Sequence, residues 1–136
     1  MGHPACRGWR IASRIMKLDK ADLLWSKLVR ERDGECRAID KKTGKRCSRR
    51  PSYKLEAHHI MPRSRSMARY DLSNGITLCF IHHSSGDDSI HRSPEGSKKF
   101  CIKIIGAKEY RRLEKLSLQY KSREKAKAEF LKLYGN

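Results

Sequence analysis

The sequence has no long hydrophobic run. Nowhere in its 136 residues does an apolar stretch approach the ~18 residues that a membrane-spanning helix needs. No secretory pattern is visible over Met1 to Lys17, and the start MGHPAC misses the myristoylation pattern because Cys6 stands where Ser or Thr is required. Internal repeats are absent, and no strongly amphipathic basic helix dominates, which makes a membrane-surface protein a distant reading. Acidic residues are few: Asp plus Glu number 15 against 32 Lys plus Arg, for a net charge of +17 and a pI near 10.1. Such a balance favours a polyanionic partner through counterion release, and nucleic acid is the first candidate. The cysteines do not form an even set either. In a chain expected to be soluble and cytoplasmic, five thiols suit metal ligation better than disulfides, and Cys6 and Cys101 are left without a partner.

What is present is concentrated. Residues 55 to 91 hold five of the six histidines. A strand-like piece from Leu55 to Ile60 carries His58 and His59, and a second from Ile76 to Cys79 runs into His82 and His83, with Asn74 just ahead of it. A short hairpin would bring one histidine pair opposite the other. Upstream, residues 1 to 17 read as a basic arm, and a helix is predicted over roughly 20 to 32. Asp19 is its N-cap, Asp22 lies three residues on, Trp25 and Val29 sit on the apolar stripe, and Gly34 ends it. CRAIDKKTGKRC, from Cys36 to Cys47, has turn residues at Thr43 to Lys45 and predicts a hairpin with two thiols at its base. Downstream, Ser93 and Pro94 start a helix ending near Gly106, a second covers 107 to 120, and a third follows Ser122. The length suits one domain over 18–136, with a core over about 36–95 and a helical extension over about 96–136.

Two sets of residues carry the chemistry. Cys36, Cys47, Cys79 and His82 form a candidate structural zinc site, since thiolate with imidazole suits tetrahedral zinc. The ten residues between Cys36 and Cys47 exceed the usual knuckle spacing, so the alternative is four buried, unligated groups. The second set is His58, His59, Asn74 and His83. Their order and spacing, directly behind Cys79-x-x-His82, strongly resemble the HNH nucleases.

That resemblance covers about 55 to 91, and reaches back to 36 if the zinc site is real. It implies an α+β fold: a ββα-metal (HNH, treble-clef-like) core with a preceding helix and a C-terminal helical extension. It also implies a metal-dependent DNA endonuclease that uses one cation and a histidine base. Carried over, His59 is the general base and Asn74 holds that ring and the hairpin in register. His58 and His83 are ligands to the catalytic cation, with His91 or Asp87 as a further candidate, and the products carry 5′-phosphate and 3′-hydroxyl ends.

Three departures stand out. Many family members have aspartate where His58 stands, which leaves the ion open among magnesium, manganese, nickel and zinc. Neighbouring strand residues face opposite ways, so His58 and His59 can share a site only across a twist or bulge. A further histidine is often found closer behind His83 than His91 is. The helical tail is similar to small phage-type HNH and recombination nucleases, which would act in the cytoplasm of a bacterial host. Lys45, Arg46, Arg49, Arg50, Arg63, Arg65 and Arg69 are the expected DNA-backbone contacts. The alternative function is a non-catalytic, zinc-stabilised nucleic-acid-binding module. It accounts for the charge and the thiols but leaves the coincidence of His58, His59, Asn74 and His83 unexplained.

Overall fold

The computed structural model describes residues 18–40, 43–50, 54–85, 90 and 94–135. The expected basic arm 1–17, together with Lys41, Lys42, Asp87, His91 and Ser93, lies outside the described residues. Helix α1 (Lys20–Asp33) forms where the capping pattern predicted it. The Asp19 side chain accepts from the Asp22 N–H, the Asp22 carboxylate accepts from the Asp19 N–H, and Gly34 closes the C-terminus at φ 70°, a left-handed conformation that only glycine adopts at little cost. The Cys36–Cys47 segment turns back on itself through an Ile39–Arg46 bridge, with Gly44 at φ 69°.

Strand β1 (Leu55–His59) pairs antiparallel with β2 (Gly75–Cys79), from Leu55 opposite Cys79 to His59 opposite Gly75. Between them come a short helix α2 (Ser66–Arg69) and a 3-10 turn (Leu72–Asn74), and a π turn (Ile81–Ser85) follows β2. Every residue of β2 is buried, because both faces of this strand are covered. Ile76 and Leu78 join Cys36, Ala38, Phe100 and Cys101 in one cluster, while Thr77 lies under α1 and its hydroxyl donates to the Val29 carbonyl. β1 is covered only in part, so it forms one rim of the sheet. The architecture is α+β, a two-stranded sheet with helices, consistent with a ββα-metal core.

The extension consists of α3 (Pro94–Ile105), α4 (Ala107–Ser117) and α5 (Arg123–Tyr134). α3 inserts Phe100 and Cys101 beside Ile76 and Leu78. α5 lays Ala126 and Phe130 against Trp25 and Tyr70. α4 stops three residues short of the expected 120. The Leu118 N–H folds back onto the Leu116 and Lys115 carbonyls, and Tyr120, at the end of the expected span, is 91% exposed. With no core contact there, nothing extends the helix.

Candidate active site and metal centre

The thiol set converges. The donor atoms of Cys36, Cys47, Cys79 and His82 all lie within 4.8 Å of one another, with His82 Nδ1 at 3.3 Å from Cys79 Sγ and 3.6 Å from Cys36 Sγ. Zinc bound at its usual distances makes a tetrahedron with edges of roughly 3.5 to 3.8 Å, so the donor set fits a zinc-type ion. The hairpin compensates for the long gap between Cys36 and Cys47: the Cys47 N–H donates to the Ala38 carbonyl and the Cys36 N–H to the Arg49 carbonyl, drawing both ends together. Burial works against ionising Cys79, but the His82 N–H, the Arg49 guanidinium and the His82 ring outweigh it and bring the thiol down to about 6. Burial holds Cys36 protonated, up to about 12. Arg49, among the expected DNA contacts, is half-buried and places Nη1 3.5 Å from Cys79 Sγ, where its charge offsets that of a thiolate.

The second set meets along β1. A cleft of about 740 Å³ takes His58, His59 and His83 together with Trp25, Arg30 and Arg63 among its walls. All six residues from Leu55 to Ile60 line it, so it follows the rim of the strand. The ladder register through His58 and His59 is unbroken, so of the expected twist or bulge no bulge is present. A cleft running along the rim can take rings from both faces of the strand, and the two imidazoles reach it from opposite sides.

His58 and His83 meet edge to face, with centroids 5.3 Å apart. His83 Nδ1 lies 3.3 Å from a carboxylate oxygen of Glu56. A carboxylate accepts, so this bond places the proton on Nδ1 and leaves Nε2 with its lone pair, the tautomer a metal-ligating histidine needs. Glu56 was not singled out from the sequence. The signal was there: two residues before His58 on a strand, it shares that histidine's face.

His59 turns the other way. Its ring stacks on Trp25 with centroids 3.8 Å apart and 9° between planes, and Nε2 lies 3.1 Å from the Arg69 carbonyl. A carbonyl only accepts, so Nε2 carries the hydrogen and Nδ1 is bare. Burial pushes the ring's pKa down to about 4, against the opposing pull of the Arg69 carbonyl, and the imidazole is therefore uncharged at neutral pH.

Asn74 is fully buried, and its amide bonds to Met61 rather than to His59. Its amide accepts from the Met61 N–H at 2.7 Å and donates to the Met61 carbonyl at 3.1 Å, while its own carbonyl accepts from the Ile60 N–H. It clamps the exit of β1 to the entry of β2, which fixes the hairpin but reaches the histidine only through the backbone.

Residues 44–86 match the HNH endonuclease family. The HNH match contains Cys47, His58, His59, Asn74, Cys79, His82 and His83, and excludes Cys36 and all of α1. No curated protein and no solved structure matches the chain significantly.

Among the basic residues expected at DNA, Lys45, Arg46, Arg50 and Arg65 are exposed, and Arg63 lies in the wall of the cleft. Arg69 is not a surface residue. It is 6% exposed, and its guanidinium grips buried Asp22 in two bonds of 3.0 and 2.7 Å. Burial of that pair removes Arg69 from any docking surface.

Proposed function

We propose that the protein is a metal-dependent DNA endonuclease whose reaction centre is the cleft along β1. The observation that carries this reading is that three histidines from two chain segments, all within the residues matching the HNH family, line one cleft with cationic Arg63 and with Arg30 of α1. His83, oriented by Glu56, and His58 would hold the catalytic cation; bound there, it would offset charge on the scissile phosphate and the leaving oxygen. His59 offers the bare Nδ1 to a water molecule and takes its proton, while the Nε2–H stays on the Arg69 carbonyl. An incoming phosphodiester makes the imidazolium easier to form, because its negative charge favours the protonated ring. Arg63 and Arg30 contact the phosphates flanking the cut. Cys36, Cys47, Cys79 and His82 would hold zinc in a structural role, separate from the reaction.

Plasmid cleavage tests the proposal. Supercoiled DNA should be nicked with manganese or magnesium present and spared after chelation, and His59→Ala should lose cleavage while binding DNA as before. Full activity in that variant would remove His59 as the base. Tight DNA binding with no cleavage under any of the four candidate ions would leave only a zinc-stabilised binding module.

A further inference from the structure

Outside the HNH match, α1 presents one aromatic face to the histidine assigned as base. We propose that Trp25 is a positioning residue for His59, forming with Gly75 a flat seat that fixes the plane of the imidazole. The inference rests on the reading of His59 as the base.

The geometry is over-determined from several sides. Trp25 is 1% exposed and its indole N–H donates to the Asp71 carbonyl at 2.9 Å, so the indole cannot swing. The imidazole lies against it at 3.8 Å, nearly parallel. Gly75 stands opposite His59 in the ladder, and a Cβ built there would sit 2.6 Å from Trp25 Cζ2 and 2.6 Å from Val29 Cγ2. Its φ of −118° is ordinary extended backbone, so this position needs glycine for space alone. Only a bare strand lets the indole come down beside His59. The same helix sets the edge of the ring as well: Asp22 holds Arg69, and the Arg69 carbonyl takes the His59 Nε2–H.

A histidine on a strand rim has a broad, weakly restrained terminal torsion. A base, however, must be held within about 0.5 Å and 10–20° of its working pose. The indole face supplies the plane and the Arg69 carbonyl selects which nitrogen faces the cleft. A leucine in place of Trp25 would keep an apolar, though smaller, side chain while removing the flat face.

The experiment compares the full-length chain with Trp25→Phe, Trp25→Leu and Gly75→Ala. It reads kcat and KM for plasmid cleavage, and 15N NMR of the His59 ring at neutral pH without DNA or added catalytic ion. Trp25→Leu should lose about 100-fold in kcat with KM for DNA unchanged, and its His59 should change from a single Nε2–H tautomer to an averaged pair. Trp25→Phe should recover most of the rate and the single tautomer. If Trp25→Leu melts below the assay temperature, Gly75→Ala, which keeps the indole but displaces it, should show the same kcat loss. Wild-type kcat, or an undisturbed Nε2–H tautomer in the folded leucine or alanine variant, would overturn the seat. A wild-type chain that never cuts DNA would overturn the endonuclease reading, and the tautomer measurement would still decide the seat.

Discussion

At the scale of single residues, the buried polar groups carry the sharpest consequences. Arg69 and Asp22 form a bidentate pair inside the protein, and removing one partner leaves a buried charge without compensation. Arg69→Ala should therefore cost about 3–5 kcal/mol in urea unfolding. A loss under 1 kcal/mol accompanied by weaker DNA binding would return Arg69 to the docking surface. Asn74 is the other such group. Asn74→Ala strands the Met61 N–H and carbonyl in the interior, which should cost about 1–3 kcal/mol per unsatisfied group. Because the amide hydrogen-bonds Met61 and not His59, its loss should lower stability in parallel with activity. Full stability with no cleavage would show that the amide acts on the chemistry directly. The histidines and Asn74 were legible from spacing. Glu56 was legible only as a neighbour on the face of His58, not as the partner of His83, and Trp25 was not legible at all: a tryptophan on a helix stripe looks ordinary until the chain folds it against an imidazole.

At the scale of elements, α1 is tied down by a carboxylate at each end. Burial works against charge on Asp19, but the Asp22 N–H, the Tyr70 hydroxyl and the Arg123 guanidinium outweigh it and hold its carboxyl well below the usual carboxylate range. Asp33 is lowered too: burial opposes its charge, and the Arg32 guanidinium and the Thr77 N–H prevail. A depressed folded pKa contributes stability that is fully present above the unfolded value of about 3.9 and fades as pH falls below it. Melting temperature should accordingly drop steeply below about pH 4, after a shallower decline that starts near pH 6.5, where the unfolded His59 ring takes up a proton that the buried ring, at about 4, refuses. Asp19→Asn should lower stability at neutral pH and flatten that acid slope. An unchanged slope in the variant would show that other carboxylates govern acid unfolding. This helix was readable in outline because caps and a 3.6-residue stripe are local signals. Its attachment to β2, through Thr77 and the space above Gly75, is not local and has no signature in the sequence.

At the scale of the whole molecule, the charge and the four-donor cluster carry the predictions. If binding neutralises ~6 phosphates, affinity for duplex DNA should fall with salt at a log slope of roughly −5. A slope near zero would refute a cationic docking face. The thiol site draws together the Cys36–Cys47 hairpin, the end of β2 and the turn behind it, so stripping the ion should destabilise much of the core. Structural zinc contributes ~10–16 kcal/mol in small peptides. Chelation should lower the melting temperature by tens of degrees, and an unchanged melt would mean the four donors hold no ion. Net charge, the cysteine and histidine spacing, the two strands and the helix caps were determined by the sequence alone, because each depends on composition or on residues a few positions apart. The tertiary structure alone decided that Arg69 is buried, that Arg49 faces the sulfur of Cys79, that His58 and His59 reach one cleft without a bulge, and that Trp25 of α1 stacks on His59. The burial of Arg69 and the stacking on His59 depend on the packing of α1 over the hairpin, and the place of Arg49 on the Cys36–Cys47 segment meeting the end of β2; such partners lie as much as 47 positions apart, beyond what local sequence signals reach.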